Sequence, residues 1–247
     1  MSSAPWEVAL ALTATLIALF GLNSWIGRHV QGVGLLAIGH SEGSMVLAWL
    51  IFLPGVALHE ASHWLTARIL GLRPSKLRIW PERRGKVVRM GYVDFRAGGT
   101  VRESLVGLAP LLSGGTVLLW IAAQVFGLDG QMNWSSAVEA MRQGLGHADI
   151  WLYSYLIFAI SNGMMPSASD RQAWGSLLLY IVIVTGGLYA LDLVPSLSPE
   201  TMALFLRQAQ LLTYALGLAV TVDLAVALGV GGLEWGLSWL RGRRVLY

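Results

Sequence analysis

Runs of about eighteen or more apolar residues recur along this 247-residue chain. Each is long enough to cross a hydrocarbon core of about 30 Å as a helix. No other feature constrains the fold so strongly, because backbone polar groups in lipid must be satisfied within the spanning structure itself. Composition agrees: 55% of residues are hydrophobic and 13% charged, about half the charged fraction of a soluble domain, with a mean hydropathy of +0.61. Eleven tryptophans suit a chain with two membrane–water interfaces. The expected fold is all-α and membrane-embedded, a single polytopic domain over residues 1–247.

Six transmembrane helices are predicted, at about 6–26, 44–70, 104–127, 149–167, 172–192 and 202–230. The first lacks Lys or Arg before its apolar run and reads as a retained helix, not a cleaved signal. The second is longer than a bilayer needs, so it tilts or projects into water. The fourth ends in Asn162-Gly163-Met164-Met165-Pro166, which predicts a broken helix. Non-helical backbone at membrane depth is tolerated where it is buried in protein or lines a cavity.

Charge orients the spans. The 73–103 connection carries Arg73, Lys76, Arg78, Arg83, Arg84, Lys86, Arg89, Arg96 and Arg102, and such clusters mark the cytoplasmic side. Both termini then fall in the cytoplasm, with 27–43, 128–148 and 193–201 outside. A pI near 9.4 is thereby assigned to topology; no nucleic-acid partner is expected. With no cysteine in the chain, a metal must be held by His, Asp or Glu. This pattern is compatible with a bacterial inner membrane.

Within the 73–103 connection, Leu77-Arg78-Ile79-Trp80 and Lys86-Val87-Val88-Arg89-Met90-Gly91-Tyr92-Val93 are β-prone runs separated by Pro81-Glu82-Arg83-Arg84-Gly85. That pattern predicts a small cytoplasmic β-hairpin insertion over about 74–97.

His59-Glu60-Ala61-Ser62-His63 lies inside the second span. Residues four apart on a helix project from one face, so both imidazoles can ligate one tetrahedral Zn²⁺. Glu60 sits one position round, where a carboxylate can take a proton from water. Ionisable groups are costly in an apolar span and mark functional sites. The competing reading is a buried polar cluster that joins helices.

The stretch from Val56 through His59, Glu60 and His63 to Ala67 and Gly71 resembles the first motif of the site-2 protease family of intramembrane zinc metalloproteases. Met90-Gly91-Tyr92-Val93 resembles that family's Gly-Tyr-Val strand, and Ala109-Pro110-Leu111-Leu112-Ser113-Gly114 is similar, more loosely, to its third motif. The likeness spans about residues 45–185. It implies that an Asp following an Asn-x-x-Pro motif is the third zinc ligand, which points to Asp170. Here Asn162 and Pro166 are one residue further apart than in the family, and Arg171 stands where glycine is usual. The resemblance also implies that Asn162 and the Gly91, Tyr92, Val93 strand bind substrate, with capping or helix packing as the other reading of Asn162. Asp149, Asp223 and Glu103 are the competing third ligands. The remaining histidines, His29, His40 and His147, fall in predicted outer connections and are expected to be solvated.

The expected function is therefore a zinc endopeptidase that cleaves transmembrane segments of membrane proteins within the lipid bilayer. His59, His63 and Asp170 would bind the metal, and Glu60 would be the catalytic base. The alternative is a catalytically inactive relative that binds a partner as an accessory subunit of a membrane complex. A peptidase with a Glu third ligand would need a soluble helix that is not evident, and no inverted repeat suggests a transporter.

Overall fold

Seven helices and one short strand pair make up the chain as described: α1 Pro5–Ile38, α2 Ser41–Ile69, β1 Glu82–Arg84, β2 Val87–Arg89, α3 Thr100–Gln124, α4 Trp134–Gly144, α5 Ile150–Gly163, α6 Trp174–Ala190 and α7 Pro199–Arg241. The computed structural model describes residues 4–84, 87–89, 91–95, 98–172, 174–193, 198–243 and 245, with backbone alone for 83–84 and 87–89.

Four of these helices, α1, α2, α3 and α7, are long and apolar enough to cross a membrane. Six spans were expected, and the difference lies in the fourth and fifth. At about 1.5 Å per residue, the 14 residues of α5 rise about 21 Å and the 17 of α6 about 25 Å, both short of a hydrocarbon core. α1 is longer than expected. It runs to Ile38, so the predicted outer connection over 27–43 shrinks to Gly39 and His40 between two helices.

Local chemistry explains the helix ends. Pro5 opens α1, where its missing N–H costs nothing, and Glu7 accepts a hydrogen bond from the Ala4 amide at 2.9 Å. Gly39 closes α1 at φ 88°, donating to the Leu35 carbonyl. Gly71 closes α2 at φ 74°: the Leu72 amide donates to the Ala67 carbonyl and the Gly71 amide to that of Arg68, a Schellman arrangement. That is a local structural reason for the small residue at 71.

The main core joins α1, α3, α5 and α7 through Leu19, Leu118, Ile121, Ile157, Tyr214 and Leu216. A second cluster, Ile26, Val30, Ala48, Phe52 and Phe158, seats α2 between α1 and α5. α6 contributes no buried residue. Its Val182 and Tyr189 are 65% and 80% exposed, as an apolar helix turned toward lipid would be.

The 74–97 segment departs from the expected insertion. Among the described residues, ladder pairing is confined to three residues on each strand, with Arg83 opposite Val88, plus an isolated bridge between Arg78 and Tyr92. Residues 85, 86, 90, 96 and 97 of the expected hairpin lie outside the described residues. The segment's first described part lies against α2. Trp49 Nε1 donates to the Ile79 carbonyl at 2.6 Å, and Trp80 packs against the Trp49 ring. Trp49 lies twenty residues before Ile69, so the chain returns along α2 for about 30 Å.

Candidate metal centre

His59 and His63 occupy one face of α2, one turn apart. Their Nε2 atoms approach to 3.0 Å. Asp170, from the loop after α5, brings Oδ2 to 3.5 Å from His59 Nε2 and Oδ1 to 3.3 Å from His63 Nε2. A tetrahedral zinc with bonds of about 2.0–2.1 Å sets its ligand atoms about 3.3 Å apart. The separations are of that order, with the two carboxylate distances made to different oxygens; one ligand atom from each residue lies within 4.8 Å of the others, and the donor set fits zinc in chemical type. Among the described residues this is the one group of His, Asp and Glu that converges in this way.

The imidazoles are also oriented for it. His59 Nδ1 lies 2.7 Å from the Gly163 carbonyl oxygen, and His63 Nδ1 lies 2.9 Å from that of Val106. A carbonyl only accepts, so each Nδ1 carries a proton, and in a neutral ring Nε2 is then the atom free to act as a ligand. Ligand histidines held by backbone carbonyls are a common feature of zinc sites.

Glycines permit this convergence. A Cβ on Gly55 of α2 would collide with the Ala159 carbonyl of α5, and one on Gly163 would meet the Gly55 backbone. The two helices therefore touch backbone to backbone, which delivers the Gly163 carbonyl to His59. On the other side, Gly107 of α3 leaves space for the Asp170 carbonyl. Within its loop, Asp170 Oδ2 accepts from the Ser167 amide at 2.7 Å, and the Asp170 amide donates to Ser167 Oγ at 3.3 Å. This reciprocal turn holds the carboxylate toward α2.

Glu60 is 7% exposed and lines the same cavity as the three converging groups. That cavity, of about 1020 Å³, is also lined by Gly91, Tyr92, Val93 and Asn162, so every residue expected at the site borders one space. Gly91 packs on Glu60: an added Cβ would lie 2.7 Å from Glu60 Cγ. Tyr92 donates its amide to the Arg78 carbonyl at 2.9 Å.

Asn162 is heavily engaged. Its Nδ2 donates to the Phe158 carbonyl and to Asp223 Oδ1, each at 2.9 Å. The competing ligands stand elsewhere. Asp223 is fully buried and accepts from Asn162 and Ser161, a hydrogen-bonded link between α7 and α5. Glu103 accepts from the Gly98 amide. Asp149 occupies the N-cap position of α5 without a side-chain cap bond.

The outer histidines are less free than expected. His29 is a residue of α1, stacked on Trp25 at 3.7 Å and 3.9 Å from Glu234. His40 caps α2 by accepting from the Gly43 amide, and His147 packs against Tyr153.

Sequence reasoning missed Asn23, which reaches the site region from α1, and the two carbonyls that orient the imidazoles. The first carried only a weak signal, a lone amide in an apolar helix; the carbonyls carried none. Comparison of the chain with protein-family models, with curated proteins and with solved structures finds no match in any of the three.

Proposed function

We propose that this protein is an intramembrane zinc endopeptidase of the site-2 protease type, acting on transmembrane segments of other membrane proteins, in a bacterial inner membrane and with both termini cytoplasmic. The observation that carries the reading is the convergence of His59, His63 and Asp170, next to Glu60 in a cavity of about 1020 Å³.

His59 and His63 through Nε2, and Asp170 through its carboxylate, would hold the metal. When bound, zinc supplies Lewis acidity, polarising an amide carbonyl and making water more acidic. Glu60 accepts the proton released as water adds to the scissile carbonyl, then delivers it to the departing amine as the C–N bond breaks. The wall formed by Gly91, Tyr92 and Val93 offers backbone groups to a substrate strand.

The direct test is Glu60→Gln, which keeps size and shape but cannot accept the proton. The variant should fold and bind zinc like the parent, yet lose cleavage of a transmembrane substrate in proteoliposomes by about 10²–10⁴-fold. A zinc-loaded Glu60→Gln protein that retains full function in cells would instead support the non-catalytic accessory role in a membrane complex.

A further inference from the structure

α5 ends inside the bundle, and the chemistry of its last turn reaches across three helices. Helix C-termini leave carbonyls without an intrahelical partner. In a continuing helix the Asn162 carbonyl would accept from residue 166, but Pro166 has no N–H to give. Asn23 of α1 takes that place: its Nδ2 donates to the Asn162 carbonyl at 2.7 Å and lies 3.3 Å from Asn162 Oδ1. From the opposite side, Asp223 of α7 accepts from Asn162 Nδ2 at 2.9 Å and from Ser161 Oγ at 3.3 Å. Asn162 is thus gripped at its backbone and its side chain. The next carbonyl, that of Gly163, is the one that accepts from His59 Nδ1.

We propose that Asn23 and Asp223 are positioning residues of the metal centre: by clamping Asn162 from α1 and α7 they fix the Gly163 carbonyl, and so the tautomer and aim of His59. This deepens the reading of His59, His63 and Asp170 as metal ligands and rests on it. Two points favour a positioning role over generic helix glue. The clamp acts on the residue adjacent to the orienting carbonyl. Both donors of the Asn162 carboxamide are already used, on Phe158 and Asp223, which makes Asn162 a poor donor to substrate.

The experiment uses full-length protein purified in detergent, with Co²⁺ as a spectroscopic probe and Zn²⁺ for affinity. Four forms are compared: the parent, Asn23→Asp, Asp223→Leu and Asp223→Asn. Asn23→Asp is isosteric but replaces the donor with an acceptor facing the Asn162 carbonyl. Asp223→Leu removes the acceptor for the Asn162 amide, whereas Asp223→Asn can keep it through its carbonyl oxygen. Asn23→Asp and Asp223→Leu should weaken Zn²⁺ binding by about tenfold, in the range measured for groups that orient metal ligands. They should also alter the visible d–d bands of bound Co²⁺, while Asp223→Asn stays close to the parent. Unchanged affinity and unchanged cobalt bands in Asn23→Asp and Asp223→Leu would overturn the positioning role while leaving the metal centre intact. A parent that binds neither ion would overturn the metal centre itself, and the positioning role with it.

Discussion

Gly55 of α2 and Gly163 of α5 meet backbone to backbone, with no space for a Cβ at either position. The contact lies one turn before His59, whose Nδ1 bonds the Gly163 carbonyl. Helix packing and the orientation of the His59 ring are therefore one feature. Small residues are the usual means of close approach between membrane helices, where no hydrophobic drive pulls helix onto helix. Gly55→Leu should push α5 away and destabilise the fold by about 1–3 kcal/mol or more, the typical cost of overpacking. It should also lower zinc content. Thermal unfolding in detergent together with metal analysis would check both; a stable, zinc-replete Gly55→Leu protein would refute the coupling.

Zinc should bind at about one ion per chain. His59→Ala, His63→Ala and Asp170→Ala each remove one of three protein ligands, so each should release most of the metal after dialysis against a mild chelator. Asp149→Ala should retain it, because Asp149 stands at the start of α5, outside the converging group. Elemental analysis of the four purified variants decides the matter. Retention of metal in the Asp170 variant with loss in the Asp149 variant would reverse the assignment.

Gly91 offers a test of the cavity that leaves the ligands untouched. A side chain there would press on Glu60 Cγ and on the Arg78 carbonyl, at 2.7 and 3.0 Å from its Cβ. Gly91→Val should displace the Glu60 carboxylate, so proteolysis should fall at least tenfold while zinc content stays at the parental level. Parental cleavage rates in Gly91→Val would show that the 91–93 wall and Glu60 do not work together.

The proposed orientation in the membrane rests on the basic residues of the 73–103 connection. Cysteines introduced at Ser75, near the end of α2, and at Ser135 in α4 should react with impermeant reagents from opposite sides of the bilayer. The native chain has no cysteine to confuse the signal. Labelling of both from the same face would overturn the proposed topology.

The amino-acid sequence by itself determined what depends on neighbours along the chain. Apolar run length predicted membrane helices, the four-residue interval placed His59 and His63 on one face, and Pro166 predicted the end of α5. The resemblance to a family motif, despite its irregular spacing here, pointed to Asp170, and the structure brings that residue to both imidazoles. Hydropathy could not distinguish a full span from the 14-residue α5, since a half-span ending inside a bundle is as apolar as one that crosses it. Nor could local pattern show that Ile79 and Trp80 lie against Trp49 of α2. Only tertiary structure decided which carbonyls orient the imidazoles, because Gly163 and Val106 act through backbone atoms that every residue possesses. It also decided that Asn23 and Asp223 bond Asn162, from which they lie 139 and 61 positions away along the chain. Those pairings exist because α1, α5 and α7 pack side by side, and packing across that separation leaves no periodic trace in the residues themselves.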